Sequence, residues 1–201
     1  MNKKFNKPKI TINKVYTRKG DKGYTMLVGG EKVKKNSNRI NGFGEIDELN
    51  VLIGACAIFL NETDKEFKKQ IFNIIITIQN DLFNLGNMIA TPSDYINNKM
   101  PQITQESIKY LEDQINIYNG QLDSLSSFVL PGGSELNIRF HWARVICRRC
   151  ERNLIDIVDV EKLDMIIIQY LNRLSDLLFI LSRYTNKVLS NNELLWNPNF
   201  K

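Results

Sequence analysis

The chain has 201 residues and a formal net charge of +5, from 27 Lys and Arg against 22 Asp and Glu. Its apolar fraction of 43% and charged fraction of 24% lie near the averages of globular proteins, which excludes wholesale disorder and collagen-like structure. At this length one domain over residues 1–201 is the default, and such a chain buries enough surface to fold without disulfides or a structural metal.

The N-terminal segment, residues 1–40, is rich in glycine and lysine, and Thr11–Tyr16 weakly indicates a short strand. Residues 17–25 combine two glycines, two threonines, three cations and one carboxylate. Glycines let backbone N–H groups approach anionic oxygens, while cations and hydroxyls bind phosphate, so this composition suits a polyphosphate cradle. The segment lacks the spacing of a Walker A loop, and a solvated, turn-rich arm is an equally compatible interpretation.

Five segments carry apolar residues at spacings of three and four, which is the pattern of amphipathic helices. They run from about Phe43 to Leu60, Lys65 to Ala90, Thr104 to Gly120, Ser134 to Val158 and Glu161 to Leu189. The third is expected to have Thr104 as its N-cap, and the fifth is apolar almost all round, which predicts burial on most faces. The sequence therefore predicts an all-α five-helix bundle over residues 43–189, preceded by a glycine-rich segment that belongs to no helix.

Arginines recur every four residues in the fourth helix, at Arg144, Arg148 and Arg152. This spacing places three guanidinium groups on one face, where their repulsion is costly without counter-charge. Solvated helix faces usually alternate in sign, whereas this one is nearly all Arg, a residue suited to bidentate recognition of anions. The pattern favours anion binding over a solvated face.

Other polar residues of the last two helices have a structural interpretation as well as a functional one. Cys147 and Cys150 form a C-x-x-C, but the sequence offers no second ligand pair and no thioredoxin-like context, which favours core cysteines. His141 is the only histidine, and a hydrogen-bonded structural role is expected for it. In helix five, Asn172 and Asp176 lie on one face, where interhelical hydrogen bonding and ligand positioning both remain open.

Cysteine usage and hydropathy bear on the compartment. The cysteines are odd in number and too few for a disulfide framework, which indicates a reducing compartment. The basic N-terminus lacks the apolar run of a signal peptide, and no stretch approaches the ~18 apolar residues of a membrane span. We therefore expect a cytoplasmic protein with no membrane partner, with a short organellar presequence left open.

Five motifs, in chain order, resemble those of the PduO-type ATP:cob(I)alamin adenosyltransferases. They are residues 17–25, 42–50, 128–133, 141–152 and 170–176, which read TRKGDKGYT, GFGEIDELN, FVLPGG, HWARVICRRCER and YLNRLSD. Each motif alone is weak, so the resemblance rests on their number and order. It implies a ferritin-like five-helix bundle that forms a homotrimer, with active sites between neighbouring subunits. It also implies transfer of the 5′-deoxyadenosyl group of ATP to cob(I)alamin, with Mg²⁺ and with release of triphosphate.

Position by position, the resemblance implies roles for individual residues. Residues 1–40 become the ATP-binding segment, through Thr17, Arg18, Lys19, Gly20, Thr25 and Lys35. Further ATP contacts in helices four and five are Arg148, Arg149, Glu151, Arg152 and Asn172. Asp47 and Arg144 match a salt bridge between subunits. Phe128 matches the aromatic residue that displaces the lower axial ligand of cobalt, so Phe128 and Arg148 are the expected catalytic residues; no metal ligand is assigned.

The implied chemistry agrees with the residue types. Cob(I)alamin is itself a strong nucleophile, so the protein needs no catalytic Ser, Cys or base and must supply orientation and charge stabilisation. Two other functions remain as alternatives: a non-catalytic ATP-binding regulatory helical bundle, and a basic module that binds nucleic acid. The resemblance favours the enzyme, with ATP and cobalamin as substrates, a reductase and a cobalamin-dependent acceptor enzyme as further partners, and no nucleic acid.

Overall fold

The computed structural model describes residues 16, 18–97 and 99–200, apart from the side chain of Glu62. Five α-helices make up most of this part of the chain: α1 (Asn38–Phe59), α2 (Lys65–Ala90), α3 (Gln105–Asn119), α4 (Glu135–Glu161) and α5 (Ile166–Val188). Two short antiparallel pairs accompany them: β1 (Tyr24–Met26) with β2 (Lys32–Lys34), and β3 (Val129–Leu130) with β4 (Leu194–Leu195). The predicted all-α five-helix bundle is confirmed, whereas the strand expected at Thr11–Tyr16 lies outside the described residues except for Tyr16.

The helix α4 is central, because it packs against both α1 and α5, while α2 packs on α1 and α3 packs on α5. Every helix contributes fully buried side chains to one core, for example Ile53, Ile78, Leu111, Phe140 and Leu174. Each such side chain stabilises the fold by roughly 1.5–3 kcal/mol relative to an exposed one. The predicted burial of α5 on most faces is confirmed. Among the described residues, none of the helices combines the length and apolarity needed to cross a membrane.

The first helix begins at Asn38, earlier than the predicted start near Phe43. Its first turn is stabilised by the buried side chain of Arg39, whose Nη2 donates to the Thr91 carbonyl oxygen at 3.4 Å. Nη1 of the same side chain lies 3.5 Å from Glu161 Oε2. These tertiary contacts hold a polar turn in helical form, and apolar spacing cannot reveal such contacts.

The boundary between the last two helices lies later in the chain than predicted. The helix α4 continues past Val158 to Glu161 and ends at Lys162, whose φ of 54° lies in the left-handed region. Because Asp164 Oδ1 accepts a hydrogen bond from the Ile166 N–H at 2.9 Å, α5 starts only there.

The start of α3 follows the predicted signal. The Thr104 hydroxyl oxygen accepts a hydrogen bond from the Ser107 N–H at 3.4 Å, which confirms the expected N-cap. The start of α4 is capped in the same way by Ser134, which accepts from the Asn137 N–H at 3.1 Å. This cap fixes the end of the loop that carries Phe128.

Candidate active site

The described part of the N-terminal segment contains the β1–β2 hairpin, which lies beside a cavity of about 710 Å³, termed the hairpin cavity. Its lining includes every residue of this segment that was predicted to bind ATP and that the structure describes: Arg18, Lys19, Gly20, Thr25 and Lys35. Thr17, which was predicted with them, lies outside the described residues. The structure thus brings the predicted N-terminal group together at one site.

Two consecutive tight turns shape the loop before β1. The Asp21 N–H donates to the Arg18 carbonyl oxygen at 3.4 Å, and the Gly23 N–H donates to the Gly20 carbonyl oxygen at 3.1 Å. Gly23 has a φ of 81°, a conformation that glycine adopts without strain. A Cβ atom on Gly20 would lie 2.9 Å from Lys35 Nζ, so glycine at this position lets the ammonium group approach the loop closely.

Cationic side chains dominate the walls of the hairpin cavity. Four cationic residues line it, whereas Asp21 contributes the single carboxylate of the lining. The four are Arg18, Lys19, Lys32 and Lys35. Lys32 Nζ lies 4.6 Å from the ring centroid of Tyr24, which holds this ammonium group at the cavity wall. A polyanion in the cavity is attracted from several sides, which favours the polyphosphate interpretation over that of a solvated arm.

The hairpin is attached at the end of α2. The Val28 N–H donates to the Ala90 carbonyl oxygen at 3.0 Å. Gly29, with a φ of 94°, lies so close to the Tyr95 ring that a Cβ atom would be 3.0 Å from it. These contacts fix the hairpin cavity at the level of the bundle where α2 ends.

A second cavity, of about 780 Å³, lies where the loop before α4 and the C-terminal segment meet α4 and α5. This helix cavity has an aromatic side, formed by Phe128, Phe179 and Trp196, and an ionic side that includes Arg144 and Arg148. The Phe128 side chain is 78% exposed, so it is not part of the hydrophobic core. Both predicted catalytic residues, Phe128 and Arg148, line this one cavity.

The arginine stripe of α4 forms no ion pair within the described residues. Among the described residues, no Asp or Glu lies within ion-pair distance of Arg144, Arg148 or Arg152. Burial, together with the charge of Arg148, lowers the pKa of Arg144. Such a stripe gains stability from a bound anion, as the sequence pattern predicts.

Glu151 and Asn172, two further predicted ATP contacts, are joined directly. Asn172 Nδ2 donates to Glu151 Oε1 at 2.9 Å, and Asn172 Oδ1 accepts from Arg173 Nη1 at 2.7 Å. Arg173 Nε in turn donates to Glu112 Oε1 at 2.9 Å, which ties α5 to α3. Asp176 lines the helix cavity, and burial raises its pKa although Arg173 and Arg148 act to lower it. Interhelical hydrogen bonds therefore hold Asn172 in place.

Arg149 and Asp47 do not line the helix cavity. Arg149 forms a hydrogen-bonded ion pair with Glu48 of α1. Asp47 is exposed on α1, and within the part of the chain that the structure describes it forms no ion pair with Arg144. The salt bridge predicted between subunits stays a prediction.

His141 forms a buried part of the helix-cavity wall. The Ser182 hydroxyl donates its proton to the Phe179 carbonyl oxygen at 2.7 Å, so His141 Nε2, 3.2 Å from Ser182 Oγ, is the donor to that oxygen. Burial and the nearby charge of Arg144 lower the pKa of His141 to about 4. The histidine is therefore neutral at neutral pH, and the hydrogen bond expected for it is confirmed, while its structural role stays a prediction.

The cysteines are free and buried. Burial raises the pKa of Cys56 and of Cys150 to about 12, and it raises the pKa of Cys147 far above its usual range. All three are therefore uncharged thiols, which are poor nucleophiles and poor metal ligands. Across the described residues, no group of three or more His, Cys, Asp or Glu side chains is arranged to hold a metal ion.

The hairpin cavity and the helix cavity share no lining residue. The hairpin contacts Ala90 at the end of α2, and Arg39 links the neighbouring Thr91 to Glu161 at the end of α4. Glu161 lies about 20 Å from Arg148 along the axis of α4. The predicted ATP-binding residues thus form two separate groups within one chain.

Sequence reasoning missed the C-terminal contribution to the helix cavity. Trp196 follows β4, and its ring centroid lies 6.2 Å from that of Phe128. The available signal was the apolar run Leu194-Leu195-Trp196 within an otherwise polar tail. Alternation over two residues is too short to predict a strand.

Comparisons with known proteins agree with this geometry. The family profile "Cobalamin adenosyltransferase" matches residues 15–185. The corrinoid adenosyltransferase of Mycobacterium leprae is 42% identical to this chain, over 94% of this chain and 98% of its own length. The corrinoid adenosyltransferase of Bacillus subtilis is 38% identical, over 86% of each chain. A solved variant of the PduO-type ATP:corrinoid adenosyltransferase from Lactobacillus reuteri, complexed with cobalamin and ATP, superposes with a TM-score of 0.82 at 31% identity, over 92% of this chain and 99% of that one. The chain therefore belongs to the cobalamin adenosyltransferase family.

Proposed function

We propose that this chain transfers the 5′-deoxyadenosyl group of ATP to cob(I)alamin, forming adenosylcobalamin and releasing triphosphate. The observation that carries the proposal is the helix cavity, in which arginines that form no ion pair within the described residues face an aromatic wall. The arginines suit a triphosphate, and the aromatic wall suits the flat, apolar face of a corrin ring. The names of the relatives and the ligands of the Lactobacillus reuteri structure support the same reaction.

The transfer requires little covalent chemistry from the protein. The electron pair of Co(I) forms the bond to C5′ of ATP, while the bond from C5′ to the phosphate oxygen breaks and its electrons leave with triphosphate. No side chain has to act as nucleophile, which agrees with cysteines that stay protonated. The protein's task is to align the two substrates and to stabilise charge on the leaving triphosphate, and we assign the latter to Arg148.

The hairpin cavity supplies the other ATP contacts in this proposal. Arg18, Lys19 and Lys35 neutralise phosphate charge, while the turn at Gly20 and the hydroxyl of Thr25 approach phosphate oxygens. Thr17 belongs with them by sequence. Glu151 and Asn172, held together by their hydrogen bond, and the exposed Arg152 contact ATP from α4 and α5.

Mg²⁺ is expected to arrive with ATP. Its preferred setting is one or two protein oxygens combined with substrate phosphates, so a site without a preformed group of carboxylates suits it. The hairpin cavity offers the Asp21 carboxylate and the Thr25 hydroxyl for this purpose. When bound, Mg²⁺ would offset part of the triphosphate charge.

We further propose that the active site forms between subunits of a homotrimer. The hairpin cavity is lined by five of the predicted ATP residues and the helix cavity by Arg148. Because the two cavities lie at different levels of one chain, the two groups meet only if neighbouring subunits contribute one each. The ion pair between Arg149 of α4 and Glu48 of α1 joins these two helices, whose outer face is then available for such an interface.

An exposed apolar face on α1 and α4 supports this assembly. Val51 and Ile58 on α1 are largely exposed, and Trp142 and Val145 on α4 are about half exposed. Asp47 lies one helical turn before Val51 on the same face. Exposed apolar side chains on neighbouring helices are typical of protein interfaces, and a second copy of this chain, with Asp47 reaching Arg144 of its neighbour, suits them.

Phe128 is the proposed group beneath the corrin ring. Its exposed ring projects into the helix cavity and so is available to occupy the space that the lower axial ligand of cobalt vacates. Loss of that ligand makes Co(II) easier to reduce, which is the difficult step before transfer. The free cysteines suit a reducing compartment, and we infer a cytoplasmic enzyme that works beside a reductase.

An optical assay tests the proposed function. Purified protein is mixed with ATP, Mg²⁺ and chemically reduced cob(I)alamin, and the expected result is loss of the Co(I) spectrum, growth of the adenosylcobalamin spectrum and release of equimolar triphosphate. A reaction with ADP in place of ATP is the control. Tight ATP binding without either product would contradict the enzyme and favour the regulatory alternative.

A further inference from the structure

The position of Phe128 depends on the C-terminal segment. The Trp196 N–H donates to the Phe128 carbonyl oxygen at 2.7 Å, and the Ser127 hydroxyl donates to the Trp196 carbonyl oxygen at 2.8 Å. The next residues pair as β3 and β4, with Val129 opposite Leu195. Because the Phe128 ring itself is mostly exposed, these backbone contacts, and not core packing, set its place. Residues 191–196 are termed the C-terminal clip.

A buried ion pair fastens the clip to α5. Arg183 is 5% exposed, and its Nε and Nη2 donate to Glu193 Oε1 and Oε2, each at 2.9 Å. Nη2 also donates to the carbonyl oxygen of Asp123 at 2.9 Å. A buried guanidinium without its carboxylate is strongly disfavoured, so this bidentate geometry fixes Glu193 firmly. One side chain thus joins the clip to the start of the loop that leads to Phe128.

The far end of the same loop is held independently. Asn186 Nδ2 donates to the Gly132 carbonyl oxygen at 2.9 Å, and Asn137 Oδ1 accepts from the Gly132 N–H at 3.1 Å. A Cβ atom on Gly133, whose φ is 108°, would lie 2.5 Å from Asn186 Oδ1. Release of the clip therefore leaves the far end of the loop attached to the bundle at Gly132, while it frees Phe128 together with its neighbour Trp196.

We propose that Arg183 and Glu193 are a positioning pair for the reaction, which hold the C-terminal clip on α5 and thereby hold Phe128 beneath the corrin. The inference rests on the proposed function, because it gives Phe128 a task to perform. Neither residue lines the helix cavity, so the pair acts through the clip, which places Phe128 and Trp196, and not on a substrate directly.

The test replaces the pair without leaving a buried charge, in the double variant Arg183→Met/Glu193→Leu. The matched control is Arg39→Met/Glu161→Leu, which removes another buried arginine, 6% exposed, at the opposite end of α4. Glu193→Gln is a milder change that keeps the side-chain shape. For each protein, electron paramagnetic resonance measures the fraction of cob(II)alamin that becomes four-coordinate when ATP is bound.

The four-coordinate fraction is expected to fall roughly tenfold in the double variant, since small misplacement at a reacting centre has effects of at least this size. It should fall less in Glu193→Gln and stay at the wild-type level in the control. Adenosylation of pre-reduced cob(I)alamin should change little in all of them, because Phe128 acts before that step. Phe128→Ala should reproduce the loss, and adding the double variant to it should cause no further change.

Two results would overturn the inference while leaving the proposed function intact: a wild-type four-coordinate fraction in the double variant, or an equal loss in the control. Wild-type protein that forms no adenosylcobalamin from pre-reduced cob(I)alamin would refute the proposed function and the inference together. The pre-reduced reaction is thus the measurement that separates the two failures.

Discussion

The two cavities are built in opposite ways. The hairpin cavity consists of tight turns and of lysines and an arginine that are mostly exposed, attached to the bundle by a few contacts at the end of α2. The helix cavity rests on two long helices, and its arginines stand at fixed helical spacing beside buried His141 and a clipped Phe128. The first can adapt to a ligand, whereas the second is set before a ligand binds.

This difference separates two tasks. A nucleotide has to enter and leave, which suits flexible cations whose individual contributions are small. A transferred group has to be aligned within a fraction of an ångström, which suits side chains on rigid helices. Substitutions in the hairpin cavity should therefore act gradually and mainly on ATP affinity, while those in the helix cavity should act steeply and mainly on turnover.

The largest effect on activity is expected from dissociating the subunits, because this separates the hairpin cavity of one subunit from the helix cavity of its neighbour. If Asp47 pairs with Arg144 of a neighbour, Asp47→Ala leaves that arginine uncompensated and should weaken subunit association by roughly 2–5 kcal/mol. Light scattering measures the loss of trimer, and turnover should fall with it. The charge swap Asp47→Arg/Arg144→Asp should recover part of the loss; purely additive effects without rescue would exclude the pair.

The next largest effect is expected at Arg148. Arg148→Ala should lower kcat by about 10²- to 10³-fold, because it removes a donor aimed at the leaving triphosphate. The trimer should stay intact by light scattering. Arg148→Lys keeps the charge but loses the planar fork of the guanidinium group, so its kcat should lie between those of the wild type and of Arg148→Ala. Wild-type kcat/KM for ATP in the alanine variant would refute the assignment.

A smaller effect is expected in the hairpin cavity. Gly20→Ala places a methyl group against Lys35 Nζ and should displace this flexible side chain, at a cost of about 1 kcal/mol or roughly fivefold in ATP affinity. Calorimetric titration with ATP checks this. In a Lys35→Ala background the same change should have no further effect, whereas full additivity would mean that Gly20 acts without Lys35.

The smallest effect at neutral pH is expected at His141, whose protonation state affects the stability of the fold as the pH falls. The pKa of this group falls from the ordinary 6.5 to about 4 on folding, so between these pH values the unfolded chain binds more protons. Its contribution to stability is therefore complete above about pH 6.5 and is lost as the pH falls toward 4. Urea unfolding at several pH values should show a shallower decline in His141→Gln, and an identical decline would contradict the assigned pKa.

Much of the fold could be predicted from the sequence, because regular apolar spacing indicates which residues form a helix. The ranges of α2 and the cap of α3 followed from Phe67, Ile71 and Ile74 and from Thr104. The start of α1 did not, since it depends on Arg39 reaching Glu161, a residue far along the chain. Local patterns carry no information on such long-range pairing.

The candidate site was predicted unevenly for a similar physical reason. Arg144 and Arg148 were visible because helical periodicity alone places them on one face. Trp196 and the Arg183–Glu193 pair were not, because a two-residue strand leaves no periodic signal and an ion pair cannot be read from either partner alone. How the hairpin residues and α4 combine depends on assembly, which lies beyond any single-chain pattern.

The chain contains only two tryptophans, and each stands where a different event is proposed. Trp196 lines the helix cavity next to Phe128, whereas Trp142 is exposed on the apolar face of α4. Indole emission shifts with the polarity of its surroundings and is quenched by a nearby absorbing chromophore such as a corrin. A Trp142→Phe protein would thus report corrinoid arrival by light alone, and a Trp196→Phe protein would report subunit docking, without any added label.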